Sequence, residues 1–82
     1  SVPKYIDGIN VYRGVEVASK EEREDLISKV HNLKSNFRNI GAKNFSEVLQ
    51  VAEDCLRQEN NEELVWEAIS LVEENLHLLE IK

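Results

Sequence analysis

At 82 residues, with 41% hydrophobic and 32% charged side chains, the chain has the length and composition of one folded domain and not of a disordered segment. A net charge of −6 argues against nucleic acid as a partner, because binding a phosphate backbone rests on Lys and Arg. The single cysteine excludes an internal disulfide, and no apolar run approaches the roughly 18 residues of a membrane span. The lone thiol fits an intracellular compartment, cytoplasm or nucleus. Charge is unevenly placed: residues 1–43 hold eight basic and six acidic side chains, residues 44–82 two basic and ten acidic.

Residues 1–18 hold both tyrosines, the only proline and two of the three glycines. Apolar residues alternate in Ile9-Asn10-Val11 and Val15-Glu16-Val17, and Asp7-Gly8 and Arg13-Gly14 are turn dipeptides. This pattern predicts an extended N-terminal arm with room for a small hairpin, held down by packing on helices.

From residue 19 to residue 82 the period changes to that of helices. Ser19-Lys20-Glu21-Glu22 has the form of a capping box. Leu26, Val30, Leu33, Phe37 and Ile40 follow at alternating steps of four and three, and Gly41 supplies a stop. A helix over 20–39 is predicted. Asn44 and Glu47 are the expected start of a second helix, with Val48, Leu49, Val51, Ala52, Cys55 and Leu56 giving a broad apolar face and Glu53 pairing with Arg57 four residues on. A third helix is predicted over 62–80. Val65, Ile69, Val72, Leu76 and Leu79 make one stripe, and Leu64, Leu71 and Leu78 a second beside it. A helix apolar over half its girth packs against at least two neighbours, so this one is expected at the centre of the bundle. Asn75, inside the apolar half, needs a hydrogen-bond partner if buried. Short connections make consecutive helices antiparallel. The expected fold is all-α: a three-helix antiparallel bundle (19–82) with an extended arm (1–18).

Catalytic constellations are sparse. Cys55 falls on the apolar face of its helix, where a cysteine is a small inert hydrophobe. His31 and His77 lie on different helices, each reading as a solvated histidine on a polar face, and no His/Cys/carboxylate cluster has zinc-like spacing. The expectation is no enzyme, no cofactor and no metal site. The distinctive feature is the polar face of the last helix. Trp66, Ser70, His77 and Ile81 project together there, flanked by acids that include Glu67, Glu73 and Glu74, and no Lys or Arg occurs between Gln58 and Ile81. A tryptophan among carboxylates suits a cationic or amphipathic segment of another protein. Equally, the N-terminal arm can cover it, placing Tyr5, Ile9 or Tyr12 on the ring and Lys4 or Arg13 among the acids. The function expected is a non-catalytic protein–protein interaction module. Its alternatives are a small acidic inhibitor of a basic enzyme, or a structural domain, such as the terminal piece of a helical-repeat protein, that self-associates into a homo-oligomer.

Overall fold

A computed structural model describes residues 2–14 and 19–79 of the chain. Among these described residues, four α-helices run in order: α1 (Val2–Asn10), α2 (Lys20–Asn39), α3 (Lys43–Gln58) and α4 (Glu62–Glu74), followed by a 3₁₀ turn, Leu76–Leu79. The all-α bundle is as the sequence predicts, with one more helix. α1 packs on α2, α2 on α3, and α3 on α4. The two helices at the middle of this series are α2 and α3, and they carry the site described below.

The first segment is helical over Val2–Asn10 where an extended arm was expected. Its apolar residues explain why. Val2, Tyr5, Ile6 and Ile9 stand at i, i+3, i+4 and i+7, a helical face, and Pro3 sits in the first turn, where its missing N–H costs nothing. Ile6 and Ile9 are buried in the common core. The alternation at Ile9-Asn10-Val11 is a coincidence of composition, since Val11 lies 70% exposed in the turn beyond the helix. Gly8, in a turn-like dipeptide, lies inside α1, where a Cβ would stand 3.2 Å from Lys29 Cε. The missing side chain lets α1 close on α2. The Tyr12 hydroxyl donates to Asp25, which also accepts from Lys29 Nζ at 2.9 Å. The hydrogen bond to Asp25, then burial and the nearby negative charge, push the Tyr12 phenol up to about 12. The same bond, with that from Lys29, lowers the Asp25 carboxyl. The second alternating run, Val15-Glu16-Val17, lies outside the described residues.

α2 begins as predicted: Ser19 Oγ accepts from the Glu22 amide at 3.0 Å. It ends at Gly41, whose φ of +83° carries the chain around so that the Ala42 amide reaches the Phe37 carbonyl at 2.8 Å. Leu26, Val30, Leu33 and Phe37 are buried, whereas Ile40, at the helix end, is 62% exposed. α3 starts at Lys43, just before the expected Asn44 cap, with no side-chain cap bond. Phe45 in its first turn meets Phe37 edge to face, ring centroids 5.1 Å apart.

α4 is not the central helix. Val65, Ala68, Ile69 and Val72 are buried, but Leu71 and Leu78 of the second stripe are 49% and 64% exposed. The helix also ends earlier than its apolar period. Asn75 Nδ2 donates to the Leu71 carbonyl at 2.8 Å, the acceptor that the Asn75 amide would use in a continuing helix, and that amide turns instead to Val72. Asn75 thus finds its partner by breaking α4, and the chain goes on as a 3₁₀ turn.

Because Ile9 is fully buried, Ile9→Ala should destabilise the domain by about 2–5 kcal/mol. Chemical denaturation of the two proteins measures this; equal midpoints would mean that α1 is not part of the core.

Candidate functional site: a buried carboxylate that holds His31

Two oppositely charged residues occupy core positions on α2 and α3. Lys34 stands four residues after Val30 and three before Phe37; Glu53 stands four after Leu49 and three before Leu56. Helical phase turns both inward, and their side chains are 8% and 4% exposed. They meet at 2.8 Å, Lys34 Nζ to Glu53 Oε1, and Lys34 gives a second bond to Gln50 Oε1 at 2.8 Å. Arg57, one turn beyond Glu53, donates to Oε2 through Nε at 3.0 Å and Nη2 at 2.7 Å. The expected Glu53–Arg57 pair is therefore present, within a larger network.

The fourth member is His31, one turn before Lys34. Its Nδ1 lies 3.3 Å from both oxygens of Glu53. Burial pushes the Glu53 carboxyl up, but hydrogen bonds from Lys34, Arg57 and His31, with the Lys34 charge, outweigh it and bring the carboxyl down to about 2. At neutral pH Glu53 is thus an anion that only accepts, so the proton in the contact belongs to His31 Nδ1. In a neutral imidazole this leaves the lone pair on Nε2. The His31 side chain is 49% exposed, and with Glu24, Ile27, Ser28 and Arg57 it walls an open cavity of about 380 Å³. The arrangement is a half-exposed nucleophilic nitrogen, fixed in tautomer by a buried carboxylate, with a guanidinium beside it.

The residues of the acidic face lie elsewhere. Trp66, Glu67, Ser70 and Glu74 line a shallow cleft of about 490 Å³, together with Arg13, Glu63 and Leu71. Arg13 Cζ is 5.0 Å from the Trp66 ring centroid, its Nη1 donates to Ser70 Oγ at 3.1 Å, and its Nη2 meets Glu73 at 3.0 Å. Asn10 also donates to Glu73. The turn after α1 therefore reaches over Trp66 through Arg13. His77 stands exposed on the 3₁₀ turn and is not among the residues of that cleft, and Ile81 lies outside the described residues. Arg13 and Glu73 tie α1 to α4, whereas His31 and Glu53 join α2 to α3, so the two sites lie on opposite edges of the bundle.

The sequence reading takes His31 for a solvated histidine on a polar face, whereas the structure places its Nδ1 against the buried Glu53 carboxylate. The available signal was the pair of charges in core phase. A lysine and a glutamate at apolar positions of consecutive antiparallel helices call for each other, and a histidine one turn away on the same flank falls beside them.

Removing one member of a buried pair strands the other. Lys34→Met should cost about 3–5 kcal/mol, read from denaturation midpoints. Acid should act through Glu53. The folded carboxyl stays ionised to about 2 while the unfolded one protonates near its ordinary 4.5, so in that window the unfolded chain binds more protons. Stability should be full above about pH 5 and fall as pH drops towards 2, a loss on the order of 3 kcal/mol that Glu53→Gln should not show. A pH profile of stability identical in the two proteins would contradict the assignment.

No curated protein and no solved structure matches the chain. The profile of one family does, that of the Hpt domain, and it covers residues 1–81. Hpt domains are helical signalling modules, phosphotransfer carriers that interact with histidine kinases and response regulators. With nearly its whole length matched and an all-helical bundle carrying an exposed histidine on its second helix, the chain belongs to the Hpt domain family.

Proposed function

We propose that this chain is a phosphoryl carrier and that His31 Nε2 is the atom that bears the phosphoryl group. The observation that carries the reading is the contact of Nδ1 with the buried Glu53 carboxylate, 3.3 Å from each oxygen, which leaves Nε2 as the nucleophile. The Nε2 lone pair attacks the phosphorus of a phosphohistidine on a kinase or an aspartyl phosphate on a response regulator. The Nε2–P bond forms, the donor's P–N or P–O bond breaks, and the donor nitrogen or carboxylate leaves with the electron pair. Nδ1 keeps its proton, and the positive charge developing on the ring is met by Glu53. Return of the group to an acceptor carboxylate is the same sequence reversed. Such transfer asks little of a protein beyond position and charge, which suits a carrier without a closed active site.

The chain holds two histidines, and His77 makes no hydrogen bond among the described residues. Incubation with a phosphorylated response-regulator receiver should give base-stable, acid-labile phosphate on the wild type and on His77→Gln, and none on His31→Gln. Undiminished labelling of His31→Gln would overturn the reading.

The Trp66 cleft supports a second, non-catalytic element of the same function: docking of a basic or amphipathic segment of a partner protein, away from His31. The supporting observation is Arg13, a guanidinium already seated over Trp66 and against Glu73. Glu67, Glu74 and Glu63 leave the rest of the cleft negative. Reversing Glu67 and Glu74 together to Lys should weaken binding of the partner kinase or regulator by about tenfold or more and reduce the salt dependence of association. Unchanged affinity would remove the cleft from the binding surface, and self-association of the wild type at the concentrations used would favour the structural alternative.

A further inference from the structure

Resting on the reading of the Trp66 cleft as a docking surface, we propose that its occupant is an arginine-rich segment of a partner protein, and that Arg13 fills the cleft in the free domain as an internal stand-in that the partner's arginine displaces. Arg13 shows what the cleft takes. Its guanidinium carbon lies 5.0 Å from the Trp66 ring centroid, while Nη1 reaches Ser70 Oγ at 3.1 Å and Nη2 reaches Glu73 Oε1 at 3.0 Å. One flat, forked cation meets an aromatic face and two separate acceptors, a set of contacts that the point charge of a lysine ammonium does not reproduce. Arg13 matches only part of the negative charge. Glu63, Glu67 and Glu74 wall the rest of the cleft, and among the described residues none of the three pairs with a cation. Glu63 and Glu67 stand at i,i+4, where like charges repel, and Glu63 to Glu74 spans about 16 Å of helix. A run of arginines complements that stretch where a single one does not.

The hold of Arg13 is light. It stands beyond the end of α1, its side chain is 38% exposed, and exposed ion pairs contribute little to stability. Releasing it strands nothing. Glu73 keeps its hydrogen bond from Asn10 Nδ2, and the Ser70 hydroxyl turns to water. The backbone need not move either: Tyr12, the preceding residue, stays on Asp25, and Ile6 and Ile9 keep α1 in the core. Arg13 therefore acts as a competitor built into the chain. It lowers the apparent affinity for any arginine that needs the same seat by the fraction of time the seat is filled.

The test titrates the full chain with tetra-arginine amide and, separately, with tetra-lysine amide, a probe of equal side-chain charge. Trp66 is the only tryptophan, so its emission reports the cleft directly. Tetra-arginine should bind the wild type about threefold or more tighter than tetra-lysine. Arg13→Gln should melt close to the wild type and bind tetra-arginine about threefold or more tighter still. Lys4→Gln removes an equal charge from the exposed side of α1 and should change that affinity by less than about 1.5-fold. In the ¹⁵N-labelled wild type, the Arg13 Nε–H resonance, held by Asn10 Oδ1 in the free domain, should move towards the position of free arginine as tetra-arginine is added. An Arg13 resonance unmoved at saturation, or a gain in Arg13→Gln no larger than in Lys4→Gln, would overturn the displacement. Equal binding of the two peptides would overturn the arginine preference. Failure of both peptides to alter Trp66 emission in any of the three proteins would instead overturn the docking reading on which the proposal rests.

Discussion

The buried carboxylate of Glu53 is the constraint on which the site depends. It lies in the interface between α2 and α3 at a position that helical phase gives to the core, and burying an unpaired carboxylate there would cost several kcal/mol. Three side chains answer that demand, each from a different depth. Lys34 is buried with it, Arg57 reaches it from solvent, and His31 touches it through one ring nitrogen. Buried ion pairs add little net stability over a well-packed apolar interface. What this one adds is orientation: a histidine on an exposed helix face is ordinarily free in rotamer and tautomer, and here both are fixed by a group that the fold itself has to satisfy.

The rest of the bundle places this interface. α2, 20 residues long, carries Leu26, Val30, Leu33 and Phe37 into the core, and its flank carries His31 and Lys34 to the seam with α3. α1 closes the far side of α2 through Ile6, Ile9 and the Tyr12–Asp25–Lys29 contacts, so the face of α2 that bears His31 is left open. α4 completes the core against α3 and is tied to α1 by polar groups, Arg13 and Asn10 on Glu73. The consequence is a division of surfaces. The α2–α3 edge presents a half-exposed imidazole with a nearby guanidinium, and the α1–α4 edge presents a tryptophan among carboxylates.

Much of the fold was legible in the sequence. The stripe from Leu26 to Phe37, the Ser19 cap and the Gly41 stop are local signals, and all three operate as local chemistry predicts. The departures are cases where two patterns coexisted in a short stretch. Val2, Tyr5, Ile6 and Ile9 satisfy a helix, while Ile9, Val11 and the turn dipeptides satisfy a strand, and only the groove on α2 decides between them. In α4 the leucines at sevens extend the apolar period past Asn75, but one side-chain amide competes successfully for one carbonyl and ends the helix. The site was less legible, because its meaning is non-local. His31, Lys34 and Glu53 are ordinary residues in separate turns until α2 and α3 are laid side by side, and a polar-face histidine has no periodic signature of its own. The tryptophan face drew attention because Trp66 is conspicuous by type; the site at His31 depends on relations between residues.

The central claim is that Glu53 fixes the His31 imidazole with its proton on Nδ1 and its lone pair on Nε2. Long-range proton–nitrogen correlation spectra of the uniformly ¹⁵N-labelled protein read this directly in the neutral form of His31, since protonated and unprotonated ring nitrogens resonate far apart. The account predicts a protonated Nδ1 and an unprotonated Nε2 in the wild type. A neutral His31 with its proton on Nε2 would contradict it.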